Sequence, residues 1–401
     1  MNTASPPPPI ALADAQARLL GLAPALPPER LPVNAALGRY LAEPLLAART
    51  QPAADLSAMD GYALSGDGPW RVIGESAAGH PFGGSVRAGE AVRISTGALM
   101  PAGADIVLLQ EDALRAGDRL EPAGDAPVPG RHIRRAGFDF ARGDELMSAG
   151  ARITPAMVAL GLAAGHAELA VHRAPSIAII DSGDELAANP ADCPPHRIPA
   201  SNGAMLQALL AQLPCAIRRI GPVADDIEAL ADALAQAADA DIVVTSGGAS
   251  VGDHDLIRPA LEAWGAHIDF WRVAIKPGKP LLVARRGHQL VLGLPGNPVS
   301  GYVTAFLFLL PLVRRLAGSA CPLPVAARIP SATALAEGGS RMEFLRAHWD
   351  GASVTPVSEQ DSSALRALSQ ANALIERPIG APAVAAHAPV TAYLFGNGGI
   401  A

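Results

Sequence analysis

At 401 residues the chain is too long for one ordinary domain, and its length suggests about two to four. Half of its residues are hydrophobic and only 17% are charged, so it can bury substantial cores, while a net charge of −7 argues against nucleic acid or an anionic membrane as the main partner. Cys193, Cys215 and Cys321 are scattered without CxxC spacing, which argues against a zinc site or a disulfide framework and suits a reducing cytoplasm.

In chain order, the opening MNTASPPPPIALADAQ lacks the basic region of a signal peptide, and its proline run reads as a polyproline lead. ALADAQARLLGL and LPVNAALGRYLAEPL both read as helical. Residues 50–130 are rich in Gly, Pro and short alternating runs (WRVIGE, EAVRIS, ADIVLLQ), the pattern of a small β domain. ITPAMVALGLAAGHAEL then carries a helix that Pro155 starts at its first position. The segments on either side are expected to pack together, which makes the β domain an insertion.

From about residue 175, strand and helix alternate. SIAII, CAIRRIGPV, DIVVT and QLVLGL read as strands. SNGAMLQALLAQL, with Ser201 or Asn202 as N-cap, and DDIEALADALAQAADA read as amphipathic helices. DLIRPALEAWG reads as a short helix interrupted near Pro259. YVTAFLFLLPLV reads as a buried helix too short to span a bilayer. Such βα units imply a largely parallel sheet with helices on both faces. The last segments, RMEFLRAHW, SVTPVS and APVTAYLF, return to short strands.

In a parallel sheet, ligands bind beyond the carboxyl ends of the strands. Three strand ends carry unusual loops: DSGDEL (181–186), TSGGASVGDHD (245–255) and LPGNPVSG (294–301). Gly183, Gly247, Gly248 and Gly296 can bring backbone N–H groups close to a phosphate, and Ser300 lies where a helix opens. One such helix end is worth only about 0.3–1 kcal/mol when exposed, so the convergence of three loops matters more than any one. In IKPGKP, Pro277 and Pro280 exclude a helix interior and place Lys276 and Lys279 on a stiff turn, either solvated or facing an anion. Asp184, Glu185, Asp253 and Asp255 supply carboxylates for a Mg²⁺ ion shared with phosphate oxygens. Asp253 suits an N-cap and Asp255 a metal ligand, without the sequence separating the two roles. Asp60-Gly61 and Ser95-Thr96-Gly97 are ordinary turn signals by themselves. Arg131, Arg134 and Arg135 form either an anion patch or a solvated face.

SAMDGYA, ISTGALMPAGADIVLLQE, RRAGFDFARGDEL, DSGDEL, SNGAML, TSGGASVGDHD, IKPGKP and GLPGNPVSGY occur in this order. Together they resemble the MoeA family, the molybdopterin molybdenumtransferases, related to the E domain of gephyrin. The resemblance implies a multidomain α/β plus β fold. Its parts are a discontinuous linking domain (1–49 and 131–174), a β-rich inserted domain (50–130), a three-layer α/β molybdopterin-binding domain with mostly parallel sheet (175–320) and a C-terminal β domain (321–401). It implies a cytoplasmic homodimer in which the insertion of one subunit faces the α/β domain of the other. The reaction it implies turns adenylylated molybdopterin and molybdate into molybdenum cofactor and AMP, with Mg²⁺. Adenylyl transfer and a gephyrin-like scaffold are the competing functions.

Matched to the family's motifs, the catalytic set is Asp60, Thr96, Asp139, Glu185 and Asp255, with Glu185 and Asp255 on the metal. The substrate-binding set is Ser182, Gly183, Ser246, Gly247, Gly248, Lys276, Lys279, Pro298 and Ser300. Partner candidates are an upstream molybdopterin adenylyltransferase and a molybdoenzyme chaperone, with no nucleic acid and no membrane. The chain departs from the family pattern at Leu56, Ser363 and Ala373.

Overall fold

The computed structural model describes residues 8–247 and 256–396. Helix α1 (Leu12–Gly21) leads into strand β1 (Pro28–Pro32). The inserted sheet has six strands: β2 (Gly61–Leu64), β3 (Trp70–Ser76), β4 (Glu90–Ile94), β5 (Ile106–Leu109), β6 (Ala113–Ala116) and β7 (Arg119–Pro122). They run in the order β5-β2-β4-β3-β7-β6, antiparallel except for β3 with β4. Helix α2 (Pro155–Ala163) begins at Pro155 and is capped by Thr154, whose side chain accepts from Met157 N at 3.4 Å. Strand β8 (Glu168–His172) then pairs antiparallel with β1, from Pro28 opposite His172 to Pro32 opposite Glu168. Chain on both sides of the inserted sheet is thereby joined.

The second half is built on β9 (Ser176–Ser182), α3 (Asn202–Leu210), β10 (Ala216–Val223), α4 (Ile227–Gln236), β11 (Ile242–Ser246), α5 (Ile257–Ala263), β12 (His267–Trp271), β13 (Ile275–Lys276), β14 (Leu282–Arg286), β15 (Gln289–Leu294) and α6 (Pro298–Leu316). Its main sheet runs β10-β9-β11-β15-β14-β12. The first four strands are parallel, and β14 and β12 are added antiparallel. Alternation sorts the strand side chains between two cores. Ile177 and Ile179 pack with Leu206 of α3 and Val303 of α6, whereas Ala178 and Ile180 pack with Leu230 of α4 and Leu261 of α5. Asp226 caps α4, accepting from Ala229 N at 3.0 Å, worth about 1 kcal/mol.

The C-terminal part holds β16 (Ala327–Pro330), β17 (Met342–Trp349), β18 (Val354–Pro356), α7 (Leu365–Gln370), β19 (Ala373–Arg377) and β20 (Pro389–Leu394). Its sheet runs β13-β17-β19-β20-β16, so β13 leaves the α/β region and pairs parallel with β17, Lys276 opposite Glu343. Phe344 and Leu374 share the core of α6 with Phe306, and Tyr302 meets Phe395 edge-on at 4.9 Å. Each buried aromatic of this kind contributes about 1.5–3 kcal/mol, which fixes the C-terminal sheet against α6.

Two expectations need correction. LPVNAALGRYLAEPL is not a helix: Pro28–Pro32 is a strand, Val33–Ala35 one 3₁₀ turn, and Leu45–Leu46 pairs with Glu145–Met147. Its helical spacing is overridden by long-range pairing, and Gly38 turns the chain at φ +79°. The helix near Pro259 is not interrupted but starts at Ile257, which leaves the proline in the first turn, where its missing N–H costs nothing. Helix α7 and the antiparallel strands β12 and β14 were not anticipated.

The apolar helix α6 is also longer than its most hydrophobic run. Pro298–Leu316 has 19 residues, enough to cross a membrane by length and composition, but most of it is buried in the core. Pro311 inside it cannot donate to the carbonyl of Leu307. Gln16 Nε2 of α1 donates there instead at 2.9 Å.

Candidate active site

The carboxyl ends of β9, β11 and β15 meet α3 and α6 around a cavity of about 730 Å³. Ser182, Glu185, Ser246, Gly247 and Pro298 all line it. A second cavity of about 390 Å³ adjoins it across Pro280 and is lined by Lys276, Lys279 and Ser300. Eight of the fourteen sequence-derived site residues therefore fall on two contiguous cavities. Gly248 and Asp255, with Asp253 and His254, lie outside the described residues.

The loops approach closely because their glycines lack a side chain. At Gly247 (φ +108°) a Cβ would stand 2.4 Å from the carbonyl oxygen of Ser182, so only glycine lets β9 and β11 end side by side. The expected exposure of backbone N–H groups fails at two positions. Gly183 N donates to Val223 O at 3.0 Å and Gly247 N to Leu294 O at 3.3 Å, so both are spent on neighbouring strand ends. Ser182 Oγ compensates: it is buried and has no hydrogen-bond partner among the described residues. Left empty, a buried hydroxyl of this kind costs about 1–3 kcal/mol, so a ligand oxygen or water at the cavity wall suits it.

Asp181, which the sequence reading passed over, is the buried carboxylate of this wall. It accepts from Gly203 N (2.9 Å) and from Arg219 (3.1 Å). Burial pushes its carboxyl above the usual range, and Arg219 pulls the other way. Asn202 at the start of α3 donates to Gly296 O at 2.7 Å, joining the first and third loops. Asp184 turns away: its N–H donates to Asp225 Oδ2 (3.4 Å) and its own Oδ1 accepts from Asp225 N (3.1 Å).

The smaller cavity has one wall from the α/β region and one from the C-terminal sheet. Lys276 Nζ pairs with Glu343 at 2.9 Å, and Arg341 donates to Ile275 O at 3.3 Å. Lys279 has no ion pair among the described residues. Buried Arg346 holds the facing loop through Glu359 O (2.8 Å) and Asp361 O (3.1 Å), while Ser362 O accepts from Val299 N in the first turn of α6 (3.1 Å). Burial lowers the pKa of Arg346. Arg341 and Glu343 were missed because nothing local marks them: Arg341 precedes and Glu343 lies on a strand whose partner, Lys276, is far upstream. The alternation in RMEFL was the only available signal.

Asp60, Thr96 and Asp139 line neither cavity. Asp60 Oδ1 accepts from Thr96 N (2.6 Å) and Thr96 Oγ1 (3.0 Å), and these bonds hold its carboxyl below the usual range on an exposed turn of the inserted sheet. Asp139 lies on a loop tied by its own N–H to Gln51 O at 3.0 Å. Of the arginine group, Arg135 is paired with Asp55 at 2.6 Å.

No group of three or more His, Cys, Asp or Glu side chains gathers for a metal among the described residues. A magnesium ion carried on phosphate needs fewer, one or two carboxylates with phosphate oxygens and waters. Glu185 on the cavity wall is a hard oxygen donor of that kind.

Three family models match the chain in succession: the MoeA N-terminal region (domain I and II) over residues 10–165, a probable molybdopterin binding domain over 178–315, and the MoeA C-terminal region (domain IV) over 328–395. A Haemophilus influenzae protein named molybdopterin molybdenumtransferase is 36% identical over 296 residues, 72% of this chain and 73% of its own. A Synechococcus elongatus protein of the same name is 35% identical over 388 residues, 90% of this chain and 93% of its own. The fold is similar to the crystal structure of a molybdopterin biosynthesis moeA protein from Pyrococcus horikoshii, with TM-score 0.84, 25% identity, and 96% of this chain and 100% of that one covered.

Proposed function

Since the chain belongs to the MoeA family, we propose that it acts as a molybdopterin molybdenumtransferase, converting adenylylated molybdopterin and molybdate into molybdenum cofactor and AMP. The observation that carries this reading is the pair of contiguous cavities. The larger, at about 730 Å³, has the size of a site for a drug-sized or nucleotide ligand. The smaller is bordered by Lys276, Lys279 and Arg341 against Glu343 and Asp361, an excess of one positive charge that suits a compact oxyanion.

In this mechanism Ser182 Oγ donates to a substrate oxygen, and Ser246 and Pro298 shape the same wall. Lys276 and Lys279 meet the negative charge of phosphate and molybdate. Lys276 is already held by Glu343, so its ammonium is positioned before any ligand arrives. Glu185 and Asp255 would hold Mg²⁺, which when bound would neutralise phosphate charge beside the scissile adenylate bond. Asp60 and Thr96 complete the site from a second subunit, with Thr96 helping to place molybdate and Asp139 supporting that side. A homodimer in which each insertion faces its neighbour's cavities accounts for their absence from the cavities of their own chain.

The division into a linking domain (1–49 and 131–174), insertion (50–130), α/β domain (175–320) and C-terminal domain (321–401), and a cytoplasmic setting, belong to the same proposal. The test is AMP release from adenylylated molybdopterin by the purified protein with Mg²⁺, with and without molybdate. Release triggered by molybdate is the expected result. Release indifferent to molybdate, or none at all, would overturn the proposal.

A further inference from the structure

Asp181 has no part in the chemistry above, yet its carboxylate is buried in the wall of the larger cavity. Helix α3 begins beside it without a cap of its own, since the Ser201 side chain makes no capping bond. The first N–H groups of a helix need acceptors from elsewhere. One is found across the loop, where Gly203 N donates to Asp181 Oδ1, and Arg219 from β10 donates to Oδ2. The fit is close: a Cβ on residue 203 would stand 2.1 Å from Asp181 Oδ2. Helix N-termini ordinarily favour anionic ligands. This one already holds an anion, and the anion is the protein's own. Lys276, Lys279 and Arg341 lie on the other side, around the smaller cavity beyond Pro280.

We propose that Asp181 orients the substrate by charge. This inference rests on the pterin-nucleotide site proposed above and names which end of the ligand goes where. The built-in carboxylate closes the α3 end of the larger cavity to phosphate by occupying the helix terminus and Arg219 together. The phosphates then run toward Lys276 and Lys279, and the uncharged pterin ring takes the α3 side. Asp181 touches no reacting atom in this arrangement and is a positioning residue.

The test uses inorganic pyrophosphate as the probe, titrated calorimetrically into the full-length protein, so that no catalysis is needed. Asp181→Ser withdraws the carboxylate and leaves Gly203 N–H and Arg219 open to an anion. It is expected to gain a second bound pyrophosphate or to bind about tenfold more tightly, a change of about 1.4 kcal/mol. Adding Lys279→Ala should weaken the original site and spare the gained one. Asp181→Asn, nearly isosteric, guards against misfolding of the serine variant and should bind about threefold more tightly. A merely structural aspartate would lose affinity on substitution rather than gain it. Variants that melt cooperatively yet bind pyrophosphate as the wild type does would overturn the proposal. If wild-type protein binds no pyrophosphate, the lysine-side anion site is what fails, and a gain confined to Asp181→Ser still supports the orienting role.

Discussion

The parallel-based sheet around β9, β11 and β15 and the inserted sheet around β2 and β4 each have six strands, but they carry chemistry differently. In the first, three strand ends point the same way, so loops distant in sequence converge on one edge, and a cavity follows from the topology. In the second, all neighbouring strands but β3 and β4 are antiparallel, so turns are shared between two edges, and Asp60 and Thr96 meet from two adjacent exposed turns that line neither of the site cavities. The strand ends of the parallel sheet supply most of the larger cavity, with Ser363 and Leu365 of the C-terminal region also lining it. The inserted sheet offers two polar groups held in fixed geometry on adjacent exposed turns.

Substitutions should expose this difference. The largest effect is expected on catalysis: Lys279→Ala should cut molybdate-dependent AMP release by about 100-fold, and Asp60→Ala by a similar factor, although they lie on different sheets. Steady-state assays at saturating molybdate, together with melting curves, check both.

Next comes the packing of glycines. Gly203→Ala drives a Cβ against Asp181 and should cost about 2–3 kcal/mol in denaturant unfolding. Gly97→Ala, beside Thr96, meets nothing within 4 Å and has only its φ of +79° to oppose it, so about 1 kcal/mol is expected. Equal losses would contradict the contrast between a crowded cavity edge and an open turn.

Carboxylates give a pH-dependent version of the same comparison. Burial alone would push Asp241 up, but Arg173 (2.7 Å) and Ser176 hold it below the usual range. A carboxyl depressed on folding contributes stability that is present above its unfolded pKa of about 4 and lost as pH falls through the lower folded value. Asp241→Asn should therefore flatten the acid limb of the stability curve below about pH 4. Asp181 is raised by burial, so its sign is opposite: its contribution favours folding at low pH and fades as pH rises above about 4. The smallest effect is expected at Gln16→Leu, which removes the donor to Leu307 O and should cost about 1 kcal/mol.

What the sequence made legible follows the same division between local and long-range causes. The βα alternation of residues 176–294 could be read because each strand and amphipathic helix announces itself within about ten residues. Convergence of the DSGDEL and LPGNPVSG loops followed from strand direction. Long-range pairing was hidden. It turned 28–32 into a strand, sent Lys276 to pair with Glu343, and so made the C-terminal sheet a wall of the smaller cavity. The amides of Gly183 and Gly247 could not be known to be spent without the register of β9 against β10 and of β11 against β15. Asp181 escaped notice because its value lies in Arg219 and Gly203, neither of which is a neighbour in sequence.

The measurement that tests the account most directly is complementation between two inactive chains. Asp60→Ala and Lys279→Ala proteins would be unfolded together, refolded to allow mixed dimers, and assayed for molybdate-dependent AMP release. If the inserted sheet of one chain completes the cavities of another, half the dimers are mixed and each has one intact site. Activity should then recover to about a quarter of wild type, far above either parent at about one-hundredth. Recovery no greater than the mean of the two parents, with mixed dimers shown to form, would mean that each chain supplies its whole site and would contradict the account.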